Sequence, residues 1–249
     1  MSTLKCTRLE LCPIKTFKFF LYVIMFLLTA NVFGIISNHF WGHGHLYGLV
    51  PLFNFDTEAN IPTLYSFTTI LFAALLLFFI GLEEKKAKRK WLTWIGLGII
   101  FLFLAIDEGS AFHEKFIEGL RTHLHTDGAF YFAWVIPYGL FCLILLASTA
   151  KFLFALRTKT RNLFLFSGTI FVMGAIGFEM ISGVFAARGQ TETLLYHTLT
   201  TFEETFEMLG IGIFNYALLD QIVTSHQSVS LTLLPDVEAT QPEEVHFQV

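Results

Sequence analysis

The chain has 249 residues, 54% of them hydrophobic and 14% charged, with 30 Phe and a mean hydropathy of +0.62. This composition excludes a water-soluble domain and describes a polytopic membrane protein. The net charge of −4 excludes nucleic acid as a partner, because membrane topology accounts for the basic residues.

Apolar runs near the roughly 20 residues that a bilayer demands lie at 17–36, 63–82, 91–111, 129–150, 162–181 and 197–219. They predict an all-α fold, a membrane helix bundle with six transmembrane helices. Residues 1–222 form a single transmembrane helical domain. Residues 223–249 lack Lys and Arg and are rich in Ser, Thr, Pro and Glu, which predicts a disordered cytoplasmic tail.

Lys5, Arg8, Lys15 and Lys18 precede the first span; Lys85, Lys86, Lys88, Arg89 and Lys90 separate the second and third; Lys151, Arg157, Lys159 and Arg161 separate the fourth and fifth. The opposite side carries only Lys115, Arg121 and Arg188. Basic residues in short loops stay on the cytoplasmic side, so both termini are expected to be cytoplasmic. The first apolar run is longer than a signal-peptide core and no small-x-small cleavage site follows, so it reads as a retained span. Cys6, Cys12 and Cys142 fall on the inner side or within the fourth span, where none is placed to form an external disulfide.

In chain order, Asn31 is the polar residue of the first span and reads as a helix-to-helix hydrogen bond. The loop at 38–62 carries His39, Trp41, His43 and His45, then Asp56, Glu58 and Asn60. Its histidines match no fixed metal spacing, and the acidic trio lacks the Gly and distal Glu of a calcium loop. The loop is a source of ligands or a lid. Asn60-Ile61-Pro62 predicts the cap and first turn of the second span. Trp91 and Trp94 are expected at the inner interface of the third.

That third span ends in Asp107-Glu108-Gly109-Ser110-Ala111-Phe112-His113-Glu114-Lys115-Phe116-Ile117-Glu118. A helix continuing through it would align Asp107, Glu114 and Glu118, with Ser110 and His113 beside them. Pro137 is expected to kink the fourth span. The fifth carries small residues that allow close helix approach, followed by Glu179. The sixth repeats the acidic pattern with His197, Thr200, Glu203, Glu204 and Glu207 on one face, so the third and sixth spans are expected to meet there.

An ionised side chain at the bilayer centre costs about 2.5–3.5 kcal/mol even on the lenient insertion scale, so three glutamates in one span cost on the order of 10 kcal/mol if lipid-exposed. Protonation, a water-filled cavity, ion pairing or a bound cation must offset that. Three outer basic residues are too few to pair all the acids. Mixed Glu and His ligands suit zinc, iron or manganese better than calcium or magnesium. The candidate metal ligands are therefore Asp107, His113, Glu114, Glu179, His197, Glu204 and Glu207, with Glu203 and Glu108 as candidate catalytic carboxylates. No Glu-x-x-His occurs within the predicted spans, so the ferritin-like di-iron pattern is not met.

Asp107-Glu108-x4-His113-Glu114, Gly177-Phe178-Glu179 and Glu203-Glu204-x2-Glu207-x2-Gly210 resemble a group of uncharacterised bacterial polytopic membrane proteins, over residues 17 to about 221. The resemblance implies a membrane helix bundle in the bacterial inner membrane, with no established activity attached. The residues themselves point to a metal-dependent enzyme facing the outer, periplasmic side and acting on a lipid or other apolar small molecule. A proton- or cation-coupled transporter is the alternative, and a structural or sensor protein the third reading.

Overall fold

The structure is a computed structural model that describes residues 8–9, 11–226 and 231–232. The helices are α1 (Pro13–Trp41), the short α2 (Leu49–Phe53), α3 (Ile61–Lys86), α4 (Leu92–Ser110), α5 (Ile117–Leu124), α6 (Val135–Ala155), α7 (Thr158–Val172), α8 (Glu179–Ala186) and α9 (Leu194–His226). A π-helical segment, Met173–Phe178, joins α7 to α8. Six helical units among the described residues are long and apolar enough to cross a membrane: α1, α3, α4, α6, the continuous α7–α8 and α9. Helix α9 runs four residues past the expected domain boundary at 222. Beyond it, all of the expected tail except Leu231–Thr232 lies outside the described residues, and Leu231–Thr232 pairs antiparallel with Arg8–Leu9.

Helix α9 is the central element, in contact with α1, α3, α7, α8 and the π segment. Lipid tails are as apolar as these side chains, so close packing rather than hydrophobic transfer holds such helices together. Glycines permit it. A Cβ on Gly210 would stand 2.8 Å from the Phe171 backbone nitrogen, and one on Gly174 would stand 2.8 Å from the Glu203 carbonyl oxygen. At the basic end, Phe214 stacks on Phe101 at 4.7 Å and meets Phe164 at 4.7 Å. Trp94, expected at the interface, is instead buried against Phe152 and Phe164. Trp91 stays outside, under the Lys85 ammonium. Lys159 pairs with Asp220 at 2.6 Å, and the adjacent Thr160 donates to Gln221, tying α7 to α9 at this end.

The helix ends follow local chemistry. Asn60 caps α3, its side-chain oxygen accepting from the Thr63 N–H at 3.1 Å, with Pro62 in the first turn as expected. Pro137 does not kink a span. Helix α6 begins at Val135, which puts Pro137 in the first turn, where its missing N–H has no partner to lose. The predicted continuation of α4 through Glu118 also fails. The helix stops at Ser110 because Ala111 turns left-handed (φ 48°, ψ 45°), and the chain folds back through a short 3-10 turn, Glu114–Phe116, into α5.

The Gly210 contact gives a first test. Gly210→Val should force α7 and α9 apart and destabilise the protein by about 1–3 kcal/mol, the usual range for overpacking, seen as a lower Tm in detergent. Gly168→Ala, whose Cβ meets nothing within 4 Å, should leave Tm nearly unchanged.

Candidate functional site

The acidic residues converge on one chamber of about 190 Å³ at the end of the bundle opposite the basic loops. Nine carboxylates line it: Asp56 and Glu58 from the loop before α3, Asp107 and Glu108 from the end of α4, Glu114 just after it, Glu179 at the start of α8, and Glu203, Glu204 and Glu207 from α9. Among the described residues, none of those lining it is Lys or Arg. Lys115 instead donates to the Ser110 carbonyl, and Arg121 lies over the Tyr131 ring.

The reversal at Ala111 makes the α4 corner of the site. Asp107 is buried, and its Oδ1 accepts from the His113 backbone N–H at 2.8 Å. Its Oδ2 accepts from the Tyr138 hydroxyl at 2.9 Å and lies 3.3 Å from His113 Nδ1. Thus one carboxylate holds both the turn and the ring. Burial works to lower the His113 pKa, but the Asp107 hydrogen bond and the charges of Asp107, Glu108 and Glu114 raise it on balance. With Nδ1 turned to Asp107, Nε2 is the ring's other ligand atom. Ligand atoms of Glu58, His113 and Glu114 all lie within 4.8 Å of one another.

The loop bearing Asp56 and Glu58 is set by Asn31. Its Nδ2 donates to Thr201 Oγ1 on α9 at 2.9 Å, and its Oδ1 accepts from the Phe55 N–H at 3.0 Å. The helix-to-helix bond expected of Asn31 is therefore present, and the same side chain also clamps the residue before Asp56. Glu58 accepts from Thr63 Oγ1 at 3.1 Å, and burial followed by the Glu114 charge raises its pKa.

On the membrane side, Glu179 accepts from Trp134 Nε1 at 3.0 Å and lies within hydrogen-bonding reach of Glu203. The π segment delivers it there, with Gly174 letting that segment close onto the α9 backbone at Glu203 and Glu207. Glu203 Oε2 is buried with no hydrogen-bond partner among the described residues. Glu207 lies deepest, roughly 20 Å along α9 from Leu194 at the usual helical rise. One turn further on, Ile70, Ala105 and Ile211 form an apolar cluster, and Asn215 then donates to the Thr69 carbonyl.

Of the residues singled out in the sequence, Asp107, Glu108, His113, Glu114, Glu179, Glu203, Glu204 and Glu207 all line the chamber. His197 does not. It faces a smaller cavity of about 50 Å³ beside Asn31, His39 and Glu192, with its Nδ1 3.8 Å from Asp56 Oδ2. Glu118, His43 and His45 are exposed. Ser110 is exposed and is not among the chamber's lining residues, whereas Thr200 is buried on its wall. Helices α4 and α9 both pack on α3, and their acids meet across the cavity. Trp134, Tyr138 and Tyr196 also line the chamber and are not among the sequence candidates, whereas Asp56 and Glu58 come from the loop expected to supply ligands or a lid. The Asp-x-Glu-x-Asn pattern was the available signal for the latter two.

A model of the family described as Domain of unknown function (DUF8692) matches residues 20–222, and the chain belongs to that family. No curated protein and no solved structure matches the chain.

Asp56 supplies a pH test. Partial burial, opposed by a Tyr196 hydrogen bond and reinforced by Glu192, Glu179 and Glu114, pushes its pKa up from 3.8 to about 6. A carboxyl whose folded pKa is raised contributes stability that is fully present below about pH 4 and is lost as pH rises through about 6. Asp56→Asn, neutral throughout, should therefore leave Tm unchanged near pH 4 and raise it near pH 8. An equal shift at both values would mean that Asp56 titrates normally.

Proposed function

We propose that this DUF8692-family member is a membrane metalloenzyme whose acidic chamber holds a divalent transition metal, zinc, iron or manganese, and acts on a lipid or other apolar molecule. One observation carries the reading: nine carboxylates and a histidine share a chamber of about 190 Å³ with no Lys or Arg among its described lining residues. A bound cation is the simplest way to offset that concentration of negative charge.

His113, Glu58 and Glu114 are the favoured ligands, because their ligand atoms already cluster. The Asp107–His113 pair supports this choice, since a metal-binding imidazole ordinarily donates its other ring N–H to a carboxylate. Glu204 and Glu207 extend the ligand set inward. Glu203, with one unpartnered oxygen beside Glu179, is the carboxylate best placed to accept and return a proton. A bound metal would supply Lewis acidity or an activated water at neutral pH. His197 is better read as a neighbour that orients Asp56 than as a ligand.

A proton- or cation-coupled transporter is the second reading, favoured by the depth of Glu207. Against it, the apolar Ile70, Ala105 and Ile211 cluster lies one turn below. The basic loops at the opposite end support a chamber opening on the periplasmic side of a bacterial inner membrane.

Two experiments decide. Elemental analysis of protein purified without chelator and reloaded should find a transition metal in the wild type and much less in His113→Ala and Glu114→Gln. A wild type that takes up no metal would sink the enzyme reading and leave cation flux in vesicles as the next measurement. For orientation, single cysteines at the exposed positions Ala87 and Gln190, in a Cys-free background, should label from opposite faces. Labelling of Ala87→Cys from outside intact cells would invert the topology.

A further inference from the structure

A second cavity, of about 210 Å³, adjoins the acidic chamber and shares Leu104, Trp134, Tyr138, Phe171 and Ala175 with it as common wall. It lies between α6 and the rest of the bundle. Helix α6 stands off from its neighbours: Val135 is its one buried residue among those described. Tyr138, Cys142, Leu145 and Thr149 line the crevice at helical spacing, and Leu140, Leu143, Ile144 and Leu146 point outward and are exposed. Across from α6, Ser167 and Gly168 line the crevice together with Phe164, Phe171 and Phe214. The rim residues Phe141 and Val172 are exposed, so the crevice is open toward the bilayer.

Its direction, size and neighbour identify what fits. From Tyr138 to Leu153 it follows α6 for roughly 22 Å, longer than one leaflet of hydrocarbon, about 15 Å. It starts at the chamber and runs toward the basic end, the direction of a lipid tail whose head lies at the chamber's face of the membrane. Its volume falls below the roughly 300–1,000 Å³ of pockets for bulky ligands, which suits one chain. The chamber at its head carries nine carboxylates, so an anionic head would be repelled.

We infer that this crevice holds the single alkyl chain of an amphiphile whose head, uncharged or cationic, enters the acidic chamber past Trp134 and Tyr138. The inference rests on the chamber being the reactive site and names its substrate class. Trp134 and Tyr138 are held by Glu179 and Asp107 respectively, so the partition between tail and head is anchored by the chamber's own acids.

The test uses the full chain in phosphatidylethanolamine and phosphatidylglycerol vesicles. Two photoreactive probes are compared, a long-chain primary amine and the fatty acid of the same length, each with a diazirine on the chain. The amine should label the crevice wall around Cys142, Leu145 and Gly168 well above the outward face at Leu143 and Leu146. Excess unlabelled amine should remove that signal, and the fatty acid should give far less. Gly168→Phe should lose the crevice labelling, since a side chain there enters open space, while retaining the wild-type metal content. Even labelling of both faces of α6 by the amine, or equal crevice labelling by the fatty acid, would overturn the inference even if metal is bound. Absent labelling together with self-cross-linking through α6 would assign the crevice to a second copy of the chain and overturn it as well. The expected pattern in protein that binds no metal would support the crevice while removing the metalloenzyme reading.

Discussion

The structure is organised around the free energy of gathering nine carboxylates in one chamber that, among the described residues, no Lys or Arg lines. Each acid alone has an ordinary remedy, such as a hydrogen bond, a neighbouring proton or an edge of solvent. Together in about 190 Å³ they repel one another, and the fold must hold them against that repulsion. It does so with rigid parts: the long central helix α9, the glycine contacts that lock α7 and the π segment onto it, and the buried aromatic cluster at the far end. Stability elsewhere in the bundle sustains a site that is itself electrostatically unfavourable.

Two polar side chains do most of the positioning. Asp107 binds the chain reversal at Ala111 to the His113 ring and the Tyr138 hydroxyl at once. Asn31, on a different helix, links α9 to the loop that brings Asp56 and Glu58 over the chamber. Neither acts through a long-range field. Both work by satisfying backbone groups that would otherwise be left without partners, which makes loop geometry as well determined here as helix packing.

The membrane bundle was legible because spans of sufficient length and apolarity admit few other structures, and the acids on α4, α8 and α9 stood out as charge where charge is expensive. Asp56 and Glu58 were legible only as part of a loop that supplies ligands or a lid, not as members of the chamber. Carboxylates in a loop are normally solvated, and only the tertiary bond from Asn31 to Phe55 reveals that this loop folds inward. The end of α4 was hidden for a related reason: Gly109-Ser110-Ala111 contains no proline, and the left-handed residue is an alanine rather than the glycine usually found there. Trp134 and Tyr138 sit at the mouth of a span, where aromatics are common, and their role depends on which acids accept from them. Trp94 erred in the opposite direction, since an aromatic near a span end can also be core.

The π segment Met173–Phe178 gives Glu179 its bearing. A π turn amounts to one residue more than an α-helix of the same rise would hold, so the length of this span is under a constraint that its hydrophobicity does not express. Were these six residues to run as regular α-helix instead, everything after them would swing by about 100°. Glu179 would leave Trp134 and Glu203 although every chemically active side chain remained present. Among relatives of this chain, a segment one residue shorter would keep Glu179 in its bearing by running as plain α-helix, whereas one of equal length keeps it only by retaining the π turn.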